Sequence, residues 1–457
     1  LKKTVWGGSA MMEAFIAAAR FGLGARPGEL GHIGRDARAY LEDQLHRPPE
    51  IGAGLQNSAA GLKDLFAYQL DKNAKALADP EKLKALRQGL IAIYRAEILA
   101  RLKAAVTSEA SFQERLVRFW ANHFAVSMQN KLVVAPVAGA YVREAIRPNI
   151  MGSFHDLLLA VESHPAMLLY LDNALSIGPN SFGGERSGRG LNENLAREIL
   201  ELHTLGVDGG YSQADVTSFA KVLTGWTVAR GARIPGEPGT FQFAGFIHEP
   251  GVQTVMGKIY GQDGMDQGEA VLRDLARHPA THRHLAVKLG RHFIADDPPK
   301  DAVARIAASF GSRDGDLKAV YRALIAEQAA WQPPLVKIKT PEEFLISTLR
   351  GFALEDVEHY KLIEALTLLG ERPFFAPSPQ GWPDDAASWT GPDSIKTRLE
   401  YANQVGEKLA SSADPIQLAD TTLGDAISLR TKEAIGRAAS PAQGLTLLLM
   451  SPEFQRR

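Results

Sequence analysis

The sequence predicts a mainly α protein, a large multi-helix globular unit with one small β hairpin insertion near residues 240–260. Three observations predict it. Apolar residues recur at helical spacing through most of the 457 residues. Helix-start signals are frequent, with Ser or Thr followed three positions later by an acidic residue. Strand-like alternation is confined to one stretch, around Phe241 and Phe243 in TFQFAGFIH, with Phe246 as a further member.

In chain order, residues 11–21, 36–46, 60–79 and 81–106 read as amphipathic helices, with a break at Pro80. Ser111 and Glu114 suggest a capping box that opens a helix through RLVRFWANHF. A helix over 135–147 is stopped by Pro148. SFHDLLLAVESHPAMLLYL gives two short helices joined at His164-Pro165. Residues 172–191, rich in Gly, Asn and Ser, predict a long loop. The helix NENLAREILELHTL then runs to Gly206. Ser212 with Asp215 caps the next helix, which stops near Gly225. After the β-rich stretch, helices return from 265. Thr281 is the expected N-cap of HRHLAVKLGRHF, and Thr340, Pro341 and Glu343 predict another capping box. Residues 375–392 predict a second irregular loop, and the last helices fall at about 393–409, 431–438 and 441–450. The expected division is an N-terminal segment and first helix (1–30), a main helical domain (31–395) with the β insertion at about 230–262, and C-terminal helices (396–457) packed on it.

Composition excludes several functions. There is no cysteine, so disulfide scaffolds, thiolate metal sites and cysteine nucleophiles are ruled out. The 51 basic and 52 acidic residues balance, so no overall charge draws the chain to nucleic acid. No run of about 18 apolar residues predicts a membrane span. The N-terminal LKKTVWGGSAMMEAF is broken by Gly7, Gly8 and Glu13 and lacks a clear signal-peptide pattern, which favours a cytoplasmic location. The segment Gly251-x5-Gly257-Lys258 is one residue too long for a phosphate-binding loop, with Ile259 where a Ser or Thr should hold magnesium. HExxH and GxSxG are absent.

Four constellations remain. Asn194, Glu198 and Glu201 fall on one stripe of a helix at about 100° per residue. Two close carboxylates repel, which raises the pKa of one and suits acid–base work, or they share a hard cation. His203 closes the same helix on another face, where the helix dipole favours its protonated form. Asn122-His123 lies along the apolar stripe of RFWANHF. His278, His282, His284 and His292 cluster near Lys288 and Arg291, and His284, Lys288 and His292 share a face that suits an anionic or polyhydroxy ligand. Trp226, Trp382 and Trp389 sit in or beside irregular segments, with Asp384 and Asp385 next to Trp382-Pro383. Such rings stack on sugars while carboxylates take the hydroxyls.

Several of these stretches together resemble the bacterial domain of unknown function 1800 family: WANHF (120–124), NENLAREILELHTLGVDGGYSQADV (192–216), LTGW (223–226), HEPGVQTVMGK (248–258), RHPATHRHLAVKLGRHFIADDPP (277–299) and SPQGWPDDAASW (378–389). RFGLGARPGEL (20–30) and LLLMSPEFQRR (447–457) extend the resemblance over nearly the whole chain. It implies a single large, mostly helical unit, often encoded beside a second family of sulfatase-like character, and hence a joint role with a polysaccharide or other envelope polymer.

Two functions follow as expectations. The first is a hydrolase or lyase on a carbohydrate or envelope polymer. Glu198 and Glu201 supply the acid–base pair, His123 or His203 orients or shares a proton, and Lys288 neutralises charge. Asn122, Asn194, Trp226, His284, Trp382 and Asp384 bind substrate. A metal-assisted version uses Glu198, Glu201 and His203 or His123 as ligands, though no metal or cofactor is named by a motif. The second is a non-catalytic binding or assembly protein that acts with the sulfatase-like partner.

Overall fold

The computed structural model describes residues 10–48, 54–75, 80–129, 131–188, 190–231, 234–333, 335–355 and 359–457. The N-terminal leader question and the junction before Pro80 lie outside the described residues. The chain is mainly α, with two small antiparallel two-stranded sheets among the described residues. No described helix is long and apolar enough to cross a membrane.

The helix Ser111–His123 is the axis of the fold. Nearly every residue of it is buried, because Phe112, Leu116 and Trp120 face one side of the core while Arg115, Arg118 and His123 face polar partners on the other. The Trp120 indole N–H donates to Tyr321 Oη at 2.7 Å, and Tyr321 donates in turn to the Ile150 carbonyl at 2.9 Å. A continuous apolar core reaches from Ala14 through Trp120 and Leu285 to Leu445 and Phe454, so the C-terminal helices join it.

Three wide i→i+5 turns, Ala17–Phe21, Val142–Ile146 and Ile199–His203, surround this axis. Each ends in a tie to it. Arg115 donates from Nε to the Gly22 carbonyl at 2.5 Å, Arg147 reaches Glu114 with Nη2 at 3.0 Å, and the His203 carbonyl accepts from His123 at 3.2 Å. At Gly22 and His203 a side chain of the axis helix takes a carbonyl left open at the end of the turn, whereas Arg147 sends its own side chain to the axis.

Several local expectations need correction. Ser111 and Glu114 do not form a capping box: the N-cap is Ala110, and Arg147 and Arg118 take the Glu114 carboxylate. The helix Pro279–Phe293 starts two residues before Thr281, because Pro279 presets its first turn and the His278 ring accepts the Ala280 N–H at 3.2 Å. His164-Pro165-Ala166 repeats this device at the helix Pro165–Tyr170. The loop 172–191 contains the short helix Phe182–Ser187, capped by Ser181, and the loop 375–392 contains Ala386–Trp389. Helices Pro415–Leu423 and Pro452–Gln455 also escaped the sequence reading. The boxes at Ser212/Asp215 and Thr340/Glu343 form as expected.

The β part is two ribbons. Strand β1 (Trp226–Val228) pairs with β2 (Phe241–Phe243), Trp226 opposite Phe243. Strand β3 (Gln253–Val255) pairs with β4 (Lys258–Tyr260) across Met256-Gly257. Both turn residues have positive φ, 52° and 74°, which fits a tight two-residue hairpin. The stretch that loosely resembles a phosphate loop is this turn.

Candidate functional site

A half-enclosed cavity of about 630 Å³ opens beside the Ser111–His123 helix. Arg115, Arg118, Phe119, Asn122 and His123 line it, a spacing that places one helical face along its wall. Lys288 and His292 enter from Pro279–Phe293, Glu342 and Glu343 from Pro341–Gly351, and Trp382 and Asp384 from the 375–392 loop. Asn122, His123, Lys288, Trp382 and Asp384 thus line one cavity. Asn194, Glu198, Glu201, His203, Trp226 and His284 do not line the cavity.

The loop is clasped to the helix. Asn122 donates from its amide to the Trp382 carbonyl at 2.9 Å and accepts the Trp382 N–H at 2.8 Å. Gly381 makes this approach, with φ of +85°; a Cβ there would lie 2.4 Å from the Asn122 carbonyl oxygen. The partly buried Trp382 ring stands 6.2 Å from Trp389, whose N–H donates to the Pro383 carbonyl. Asp385 caps Ala386–Trp389 by accepting the Ser388 N–H. The paired acids beside Trp382 are therefore both engaged within the protein.

Asp384 belongs to a buried ion network. His292 Nδ1 donates to it at 2.5 Å, and Arg457 and Lys337 each stand at 3.0 Å. Glu343 accepts from Arg457 at 2.7 Å and from Arg115. Burial opposes charge on Asp384 and Glu343, but the cations around each hold its carboxyl far below the usual range. An Arg115 N–H also points at His292 Nε2, which must therefore carry a lone pair; burial lowers this imidazole to about 4.

His123 is arranged differently. It is 1% exposed, and its Nε2 must carry the hydrogen because its partner is the His203 carbonyl. Nδ1 then bears the lone pair, and it has no partner among the described residues. Burial, then the nearby Lys288 charge, push the imidazole well below its ordinary value, so it is a neutral base at neutral pH. Lys288 is itself lowered by burial to about 8.

Across the cavity Glu342 is held by Arg101 at 2.9 Å, and Glu371 accepts the Glu342 N–H at 2.7 Å. Burial, then the neighbouring Glu342 charge, raise Glu371 to about 8. The cavity is thus lined by a carboxyl pushed toward its protonated form and by an imidazole with one unpartnered nitrogen. Sequence reasoning missed Glu342 and Glu371. Glu342 sat unremarked inside the Thr340–Glu343 capping box, and Glu371 lay in no recognised motif.

The expected acidic stripe is not part of this lining. Glu198 and Glu201 are partly buried and Asn194 is exposed. Burial raises the Glu198 carboxyl, with the Glu201 charge adding to it, and Tyr211 donates to Glu201 at 3.3 Å. Arg197 and Arg143 do not pair with them; their carboxylates are Glu193 and Glu97. The wide turn Ile199–His203 changes the period, so His203 is no exposed C-terminal cation: it is fully buried and donates from Nδ1 to Glu162 at 2.8 Å. His284 donates to the Leu202 carbonyl at 3.0 Å and packs on Gly206. Trp226 is sealed in the core, edge-on to Phe241 and flat against Gly268, so it does not reach the cavity. The histidine cluster also divides, with His278 as a helix cap and His282 stacked on Phe310.

Ser58, Glu144 and His164 look like a nucleophile set but are not one. The His164 Nδ1 lone pair is used by the Ala166 N–H, so Nε2 carries the proton and donates to Glu144 at 3.0 Å. No lone pair remains to take a proton from Ser58. Among the described residues, no three His, Asp or Glu side chains cluster to hold a metal ion.

A family model described as "Protein of unknown function (DUF1800)" matches residues 16–456. No match is found among curated proteins or solved structures.

Proposed function

The chain belongs to the DUF1800 family, and for this member we propose that the cavity is the catalytic site of a hydrolase or lyase acting on a carbohydrate or related envelope polymer. One observation carries the reading: a buried histidine whose Nδ1 has no partner among the described residues lines the same cavity as Glu371, a carboxyl raised by burial and by Glu342, together with a lysine and a partly buried tryptophan. His123 is the base, and Glu371 is the acid that protonates a leaving oxygen. In hydrolysis the Nδ1 lone pair takes a proton from water. In elimination it takes one from carbon, the C–H pair forms the double bond and the C–O bond breaks. Trp382 offers a ring face to a sugar, and Asn122 fixes the loop that carries it.

The acid–base pair expected at Glu198 and Glu201 moves to His123 and Glu371 in this reading, because only the latter line the cavity. His203 becomes a positioning residue. Its carbonyl sets the His123 tautomer while Glu162 anchors its ring. The alternative, a non-catalytic assembly protein with a sulfatase-like partner, predicts satisfied polar groups in separate networks. The unpaired Nδ1 weighs against it.

The test is a screen of the full chain against neutral and acidic polysaccharides, followed by His123→Asn and Glu371→Gln on whichever is cleaved. Each is expected to lower kcat by about 10²–10⁴-fold. Wild-type rates in both variants would sink the proposal.

A further inference from the structure

The charges around the cavity do not cancel evenly. Asp384, Glu343, Asp296 and Glu342 each have a basic partner within 4 Å, and Asp385 is used as a helix cap. Lys288 and Arg291, three residues apart on one helix, are the exceptions. Arg291 donates only to the Asp296 carbonyl, at 3.2 Å, and neither residue makes an ion pair among the described residues. Lys288 is partly buried in the wall and Arg291 is exposed at the rim. The groups facing Lys288 are Arg291 on its own helix, Asp384 from the loop, and His123 and His284, whose imidazoles are held neutral. Asp384 favours the Lys288 cation from a distance but makes no ion pair with it, its close partners being Lys337, Arg457 and His292.

Two cations without a counter-ion, stepped from wall to rim and set in one cavity with the Trp382 ring, suit an oxyanion on a ring-bearing ligand. We propose that Lys288 and Arg291 form an anion subsite, and that the substrate is an acidic polyhydroxy polymer whose carboxylate or sulfate docks there. This deepens, and rests on, the reading of the cavity as an acid–base site. It places negative charge beside the neutral base His123, where the cations stabilise any further charge that develops on the substrate.

The test is calorimetric titration of the full chain at pH 6.5 and low salt. Trigalacturonate supplies a carboxylate, a sulfated dextran oligosaccharide supplies a sulfate, and maltotriose is the neutral control. At least one acidic probe should bind and maltotriose should not; which acidic probe binds identifies the anion. Lys288→Gln and Arg291→Gln should each weaken binding about tenfold or more, while Lys288→Arg retains it. Should Lys288→Gln fail to fold, Arg291→Gln at the exposed rim decides. Equal binding of maltotriose, no binding of either acidic probe, or unchanged affinity in the Gln variants overturns the subsite. Loss of turnover in His123→Asn addresses the catalytic reading separately.

Discussion

Two adjoining parts of the cavity wall both carry charge and are built on opposite rules. In the Asp384–Glu343 part, each carboxylate is matched by cations from distant segments, and His292 is wedged between Asp384 and Arg115. In the His123–Lys288 part, a ring nitrogen and two cations are left over. Buried ion networks contribute little net stability but cost a great deal when broken. Unmatched buried polar atoms cost stability and also occur in the core, at the Trp226 indole N–H and Arg20 Nε for example; the His123 nitrogen differs in that its residue lines a cavity. The difference teaches that charge density does not locate a site; what remains unpaired along a cavity does.

The largest effect should come from breaking the matched part. Glu343→Gln leaves Arg115 and Arg457 facing each other in a buried space, and should lower unfolding free energy by about 3–5 kcal/mol in denaturant titration. Arg115→Met combined with Glu343→Met should recover part of that loss. Glu343 and Asp384 have folded pKa values far below their unfolded ones. Their contribution is therefore present above the usual carboxylate range and is lost as pH falls through and below it. A matched part that tolerates Glu343→Gln would erase the contrast.

The clasp between loop and helix should be next. Gly381→Ala puts a side chain at φ +85° and against Asn122, and should cost about 1–3 kcal/mol. It should also free Trp382, seen as a shift in tryptophan emission. Loss of stability without that shift would mean the loop re-forms its clasp.

These ties explain what the sequence made legible. The periodicity of FQERLVRFWANHF predicts a helix with an apolar stripe, but the burial of its arginines against carboxylates depends on distant segments. Asn122, His123, Lys288, Trp382 and Asp384 were legible because each stood in a distinctive local stretch. Their pairing was not, since Arg115 meets Glu343 across 228 residues and Asn122 meets Trp382 across 260. The wide turn Ile199–His203 defeated a projection at about 100° per residue, because its i→i+5 bonds alter the spacing and draw His203 inward. Trp226 misled for another reason. It borders a loop in sequence, yet its strand lies over Gly268, where the absence of a side chain admits the whole indole.

The finest test of the contrast is a pH slope. Glu371 is the one cavity carboxyl raised to about 8, by burial and by Glu342. The folded chain thus keeps a proton there that the unfolded chain has already released, and this term lowers stability as pH rises from the ordinary carboxylate range through about 8. Lys339, lowered by burial to about 7, and Lys288, lowered to about 8, act in the opposite sense, because the unfolded chain holds their protons longer. The readout is therefore the difference between wild type and Glu371→Gln, which keeps the shape of the protonated acid and removes its titration. The two proteins should be nearly equally stable at pH 5, and the variant should gain on the wild type up to about pH 8. A constant difference across that range would place Glu371 among the ordinary ionised carboxylates and leave His123 without an acid partner.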